Sequence, residues 1–428
     1  MERETPVLPP RSLAVAAFST IVEWYDFTLY LYFATVLARV FYGSGSDSLL
    51  LTLGGFAIAY LMRPLGAVVF SHVGDKYGRR RMLLISVALM TAAMLATALL
   101  PTRAVAGPAA GWLLLGLRCV MGFSVGGEYT GVVAYLLEGA PVRRRGLITS
   151  SASAASEVGA LLAVGVSALT VSLVSAAGLD RWGWRIPFFV GAALAGTVWI
   201  ARSTMHESPE FDRQRQDGTV PDVPLRHALA NHRSGIARGF AISALGSITY
   251  YVGITYVPAF LTSVGKLSEG ESLWLATIAA VAVIAITPLT GLLSDRVGRK
   301  PVLIALCVGS AALPIIMFSL MASSVHGQAV VGAVMLALLA GAVSAVGAVA
   351  TAEQFPGEGR ITGLALGATM ATAIFGGFTP LGAQWLIERT GWATAPGIMI
   401  ALVGLAVLPV MLTLRETAPR TGSPPVAH

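Results

Sequence analysis

The chain has 428 residues and a formal net charge of +7, with 55% hydrophobic and only 12% charged residues. Soluble domains carry roughly 25% charged residues, so this composition argues against a soluble enzyme, a nucleic-acid binder or a disordered scaffold and leaves a polytopic membrane protein. The two cysteines, Cys119 and Cys307, lie inside apolar stretches and predict no disulfide framework.

A membrane-crossing helix needs about 20 mostly apolar residues. Twelve such stretches follow one another. The first six run from Leu13 to Ala38, Leu49 to Val73, Met82 to Leu100, Ala109 to Leu137, Leu147 to Ala177 and Trp184 to Ala201. The second six run from Ile236 to Leu261, Leu273 to Leu293, Val302 to Met321, Ala329 to Thr351, Ile361 to Ile387 and Thr394 to Leu414. The first is too long for a signal-peptide core and is expected to remain in the mature protein. Of the 29 Lys and Arg residues, this map puts all but eight on one side, six on the other, and Arg63 and Arg118 within spans. The positive-inside rule makes the richer side cytoplasmic, with both termini there. The expected location is a bacterial-type inner membrane.

The stretch from Met205 to Arg233 is polar and rich in Pro, Asp, Arg and His, and reads as a linker. The flanking segments repeat. Gly74-Asp75-Lys76-Tyr77-Gly78-Arg79-Arg80 after the second span matches Ser294-Asp295-Arg296-Val297-Gly298-Arg299-Lys300 after the eighth. Glu138, Pro141 and Arg145 match Glu353, Pro356 and Arg360, and Gly183-Trp184 matches Gly391-Trp392. The expected fold is therefore an all-α membrane protein of twelve helices in two pseudo-symmetric halves. The halves cover residues 1–204 and 236–428, with a cytoplasmic linker at 205–235. Such a duplication suits alternating access around a central site.

Ionisable residues at mid-span are costly, by about 2.5 to 3.5 kcal/mol each on insertion scales. Six stand there: Glu23, Asp26, Arg63, Arg118, Glu128 and Glu157, all in the first half. Glu23, Arg63, Glu128 and Glu157 share a depth of about 15 Å from the cytoplasmic ends, so pairing between helices is possible. A fixed Glu23–Arg63 pair is one reading. The other is a carboxylate that cycles its proton, with Asp26 the first candidate, Glu23 the second, and Arg118 and Glu128 as further coupling groups. Arg118 could also grip a substrate carboxylate with two hydrogen bonds, with Glu157 in the same site. Trp24, Tyr25, Tyr250 and Tyr251 are the candidates for a substrate ammonium group, which aromatic faces attract.

The paired Asp-x-x-Gly-Arg-Arg/Lys loops resemble those of the major facilitator superfamily, which implies its fold. Glu23-Trp24-Tyr25-Asp26-Phe27, Arg63-Pro64-Leu65-Gly66, the stretch from Gly122 to Gly131 and that from Gly183 to Phe189 are similar to its metabolite:proton symporter branch. The helix 4 stretch, Thr249-Tyr250-Tyr251 and Thr255-Tyr256-Val257-Pro258 look most like proline/betaine transporters. Ala373 to Pro380 looks as much like citrate carriers. Ser71 stands where the loop usually has Gly, and Met121 where helix 4 commonly has Gln. The resemblance implies that Asp75, Arg79, Arg80, Asp295 and Arg299 form a conformational latch. Arg118 opens an Arg-x-x-x-Gly pattern that resembles one linked to proton coupling.

The expected function is proton-driven import of a small zwitterion, of the proline/betaine type. The alternatives are a citrate or ketoglutarate symporter, a proton-driven drug exporter and a membrane receptor that does not transport. The expected partners are the substrate, protons and the bilayer, without nucleic acid. No metal-ligand spacing, nucleophile elbow or phosphate loop occurs, so neither a metal, a cofactor nor an enzymatic activity is expected.

Overall fold

A computed structural model describes residues 8–43, 48–220, 224–267, 269–323, 325–356 and 360–418. Among these residues there are helices and no strands. Twelve helices form the bundle. In the first half they are α1 (Pro10–Tyr32), α2 (Ser48–Tyr77), α3 (Arg79–Ala98), α4 (Ala109–Gly139), α5 (Arg145–Leu173) and α6 (Arg185–Ser203). In the second they are α7 (Arg233–Tyr250), α8 (Glu269–Val297), α9 (Arg299–Met321), α10 (His326–Ala352), α11 (Arg360–Thr390) and α12 (Ala395–Thr413). Among the described residues, ten segments are long and apolar enough to cross a membrane. The two helices outside that set are α1 and α7, the first of each half. Both contribute residues to the internal cavity described below, Glu23 and Trp24 from α1 and Ser243, Ser247 and Tyr250 from α7.

The helices that line the cavity are not regular. The α1 helix ends in a π-helical turn at Ala38–Tyr42, α7 runs into one at Tyr251–Thr255, and α11 contains one at Ala365–Thr369. Wide turns of this kind mark functional segments of helices. Pro64 in α2 and Pro288 in α8 each interrupt a helix interior, freeing a backbone carbonyl one turn earlier. The α2 and α4 helices meet backbone to backbone. A Cβ at Gly66 would overlap the carbonyl of Phe123, and one at Gly122 or Gly126 would overlap the carbonyl of Ala59 or Arg63. Only glycine permits this approach.

The two halves meet chiefly along α2 against α11 and α5 against α8. A buried apolar cluster crosses the junction at the end carrying the repeated loops. It joins Leu13, Phe70, Val133 and Leu137 to Val349, Phe355, Ile361 and Leu364. The same end carries most of the basic residues and is called the basic face below.

Each repeated loop forms the same turn. Gly78 and Gly298 precede α3 and α9 with φ of 107° and 118°, a conformation that side chains disfavour. The first N–H groups of α3 are then held by Glu207, which accepts from Arg79 N at 2.9 Å and Arg80 N at 3.2 Å. Glu416 does the same for α9, accepting from Arg299 N at 2.8 Å and Lys300 N at 3.1 Å. Each glutamate follows the last helix of its half and clips that end of the chain to the third helix, satisfying amides that a helix leaves unpaired. Burial pushes the Glu207 carboxyl up from its ordinary value, against the backbone N–H groups and the Arg79 charge that favour its ionised form. The linker contains two short helices, Pro209–Asp217 and Pro224–Asn231. Ser208 caps the first, accepting from Phe211 N at 3.0 Å.

Candidate functional site

A cavity with about 1150 Å³ of atom-free space lies between the halves. Its charged lining residues are Glu23, Arg63 and Glu157. Trp24, Tyr60, Tyr129, Tyr250 and Tyr251 supply aromatic wall, and Ser153, Ser156, Ser247, Ser344, Thr369 and Thr372 supply hydroxyls. Tyr250 donates to Glu157 Oε1 at 2.5 Å, from α7 to α5. Tyr60 and Tyr251 share a hydrogen bond of 2.6 Å from α2 to α7. Both bonds cross between the halves. Trp24 packs edge-on against Tyr250 with ring centroids 5.2 Å apart, and its Nε1–H has no hydrogen-bond partner among the described residues.

Buried ion pairs link the helices of the first half. Arg63 pairs with Glu23 between α2 and α1. Arg118 on α4 pairs with Asp26 at 2.8 Å and also donates to Thr97 at 3.1 Å. Arg202 near the end of α6 pairs with Glu128, and Ser86 and Ser19 complete that network. Glu157 has no cation within ion-pairing distance among the described residues. A second, smaller cavity of about 420 Å³ lies beside the first. Asp26, Arg118, Glu23 and Arg63 all line it.

At the basic face the halves are bound through the repeated loops. Asp75 Oδ2 accepts from Thr362 N at 2.9 Å and from its hydroxyl at 2.7 Å, at the start of α11. Asp295 accepts from Gly146 N at 2.8 Å and Leu147 N at 2.9 Å, at the start of α5. Each aspartate thus caps a helix N-terminus of the opposite half. Each also pairs with the arginine four residues on, Arg79 at 3.3 Å and Arg299 at 2.8 Å. Those arginines reach Glu138 and Glu353, at 3.2 and 3.3 Å. Arg360 adds a 3.0 Å pair to Glu138 across the junction.

Residues 13–219 match the family model described as "Sugar (and other) transporter", and residues 240–428 match "Major Facilitator Superfamily". The chain is 32% identical to the proline/betaine transporter of Salmonella typhimurium, over 97% of its own length and 86% of that protein's. The chain belongs to the major facilitator superfamily. It is also 31% identical to the citrate-proton symporter of Klebsiella pneumoniae, over 95% of this chain and 94% of the relative. Identity to the alpha-ketoglutarate permease of Escherichia coli is 33%, over 94% and 92%. The proton:xylose symporter XylE shares the fold, with a TM-score of 0.79 at 20% identity, covering 96% of this chain and 97% of that one.

For this superfamily member the structure places four of the expected site residues as follows. Glu128, expected as a coupling group, lines neither cavity; it is held by Arg202, itself buried at 0% exposure and not in the loop where the span map put it. Arg202 is the last but one residue of α6, and its long side chain turns back into the bundle. Tyr25, expected in the substrate site, lies at 0% exposure and donates to the Pro187 carbonyl at 2.8 Å. It faces away from the cavity that its neighbour Trp24 lines. Arg118 does not line the large cavity, and its charge is taken by Asp26. Arg80 makes no bond across the junction; its guanidinium donates to the Ser203 carbonyl in its own half. Tyr60, Thr362 and the two capping glutamates are absent from the sequence-derived sites. Tyr60 stands three residues before Arg63, on the same helical face, and Glu207 and Glu416 follow α6 and α12 at nearly the repeat offset.

Proposed function

We propose that this carrier imports a small zwitterion of the proline/betaine type together with protons, by alternating access of its two halves, residues 1–204 and 236–428, about the central cavity. The observation that carries the reading is the charge set of that cavity: one arginine and two carboxylates. A citrate-like trianion needs two or more unpaired cations to offset its desolvation, and this wall is net negative when its carboxylates are ionised. A zwitterion finds Arg63 for its carboxylate. Its nitrogen finds Glu157 among Trp24, Tyr250 and Tyr251, where aromatic faces favour an alkylated ammonium. The bond of Arg118 to Asp26 favours Arg63 over Arg118 in that role. The Asp26–Arg118 pair is the proton site in this reading, with Glu23 beside it. The basic face is cytoplasmic, in a bacterial inner membrane, and Asp75 and Asp295 with Arg79 and Arg299 act as the latch that keeps it closed. Relatives named for proline and betaine support the same substrate class, and the carrier has no enzymatic step.

The test is uptake into proteoliposomes under an imposed pH gradient, with labelled glycine betaine, proline, citrate and ketoglutarate. Accumulation of betaine or proline that collapses with a protonophore is the expected result. If citrate or ketoglutarate competes at micromolar concentration and betaine fails at millimolar, the substrate is a carboxylate and the zwitterion reading is lost.

A further inference from the structure

We infer that Arg63 couples proton to substrate by exchanging partners: it holds Glu23 while Glu23 is ionised, and turns to the substrate's carboxylate once Glu23 carries a proton. The inference rests on the zwitterion reading above. Its first support is position. Glu23, Tyr60, Arg63 and Val125 line both cavities, so the Glu23–Arg63 pair stands in the wall between them. The Arg63 side chain is 12% exposed, against 2% for Glu23, so the cation is the partner already turned toward open space. The guanidinium lies 5.1 Å from the Tyr60 ring centroid, a surface along which it can turn while its charge stays stabilised.

The second support is a set of buried polar atoms without protein partners. Glu23 Oε2, Asp26 Oδ1 and Arg118 Nε form no hydrogen bond among the described residues. Each carboxylate gives one oxygen to its arginine and keeps the other uncommitted. Buried acceptors of this kind are costly unless water or a proton satisfies them. The residues that own them all line the smaller cavity, which offers the two to four polar partners a buried water requires. A proton can therefore pass from the Asp26 carboxyl through water to Glu23 Oε2. One O–H bond breaks and one forms; Asp26 is left as a carboxylate held by Arg118, and Glu23 is left neutral. The substrate cavity takes no part in that passage.

The third support is charge count. With Glu23 ionised, the large cavity carries one positive and two negative groups. With Glu23 protonated, it carries Arg63 and Glu157, one of each sign, which matches a zwitterion end for end. Other charges felt at Glu23 are Glu128 on α4 and Arg202 on α6, which neutralise each other as a pair. The phenols of Tyr60, Tyr129 and Tyr251 also stand near Glu23.

Glycine betaine binding to the purified carrier, by equilibrium dialysis from pH 5.5 to 8.5, tests the exchange. Wild-type affinity is expected to fall with rising pH, approaching about tenfold per unit on the alkaline side. Glu23→Gln should bind with an affinity that varies less than about twofold across the range. Glu23→Asp, which keeps a titrating carboxylate, should retain the slope. Arg63→Gln should lose more than about tenfold in affinity at every pH. The double variant Glu23→Gln/Arg63→Gln leaves neither partner of that pair as a lone charge and should bind as weakly as Arg63→Gln, which separates misfolding from lost recognition. A Glu23→Gln variant with the wild-type slope, or a wild type with none, overturns the inference. If wild type binds citrate and neither betaine nor proline, the substrate reading falls instead, and the same pH series with citrate tests the exchange on its own.

Discussion

Replacing Asp295 by asparagine should unlatch the basic face by an amount that follows from its contacts. The carboxylate gives one oxygen to Gly146 N and the other to Leu147 N, at 2.8 and 2.9 Å. An asparagine offers a single acceptor and turns an NH2 group toward the second N–H. Hydrogen bonds to a charged group contribute about 1.5 to 3 kcal/mol each, and a carboxylate at a helix N-terminus adds about 0.3 to 1 kcal/mol. Asp295→Asn therefore removes roughly 2 to 3 kcal/mol that exists only while the halves are closed, since the Arg299 contact lies within one half and survives opening. The open-to-closed ratio at that face should rise roughly 30- to 150-fold. The assay is labelling of a cavity cysteine by an impermeant thiol reagent added from the basic side. Ala348→Cys lines the cavity and can be introduced after Cys119 and Cys307 are changed to serine. While the open fraction is small, the labelling rate tracks it. A change of less than about threefold, in a variant with the parent's melting temperature, would refute the latch and the reasoning behind it.

Asp26→Asn should abolish gradient-driven accumulation while substrate exchange persists in part, because exchange need not release the proton; normal accumulation in that variant would remove Asp26 as the carrier. Tyr251→Leu should weaken betaine uptake more than Tyr251→Phe, since Phe keeps the ring face and loses only the bond to Tyr60, and equal losses would count against an aromatic role. Glu128→Gln should destabilise the fold by about 3 to 5 kcal/mol by leaving Arg202 buried without its counter-charge. Thermal melting in detergent checks this, and Glu128→Gln/Arg202→Met should recover part of the loss.

The spans, the internal repeat and the family were legible because each has a signature in composition or spacing: apolar runs, paired loops 220 residues apart, and an Arg and Lys bias. The depth of Glu23 and Arg63 was legible as well, because helical rise converts residue number into position. What linear depth does not carry is azimuth. Tyr25 and Trp24 are adjacent in sequence and differ by about 100° around α1, enough to send one into the core and the other into the cavity. Arg202 was misplaced because a long side chain near a helix end can reach about one turn in either direction. The pairing of Arg118 with Asp26, and of Arg202 with Glu128, depends on which helices are neighbours, and no local pattern reports that. The two capping glutamates lie in polar segments where many carboxylates look alike, and only their equivalent places after α6 and α12 distinguish them.

The glycine seam between α2 and α4 has a bearing on the tempo of the cycle. Arg63 and Arg118 are mounted on two helices whose backbones touch at Gly66, Gly122 and Gly126, so their Cα positions stay fixed relative to one another while the halves rock. Changes of partner at either guanidinium are then side-chain rotations and need no movement of the two helices. The rocking of whole helical halves belongs to microseconds and milliseconds. The expected slow step of turnover is the separation of α2 from α11 and of α5 from α8, with the ion pairs inside the first half setting which of those states is populated.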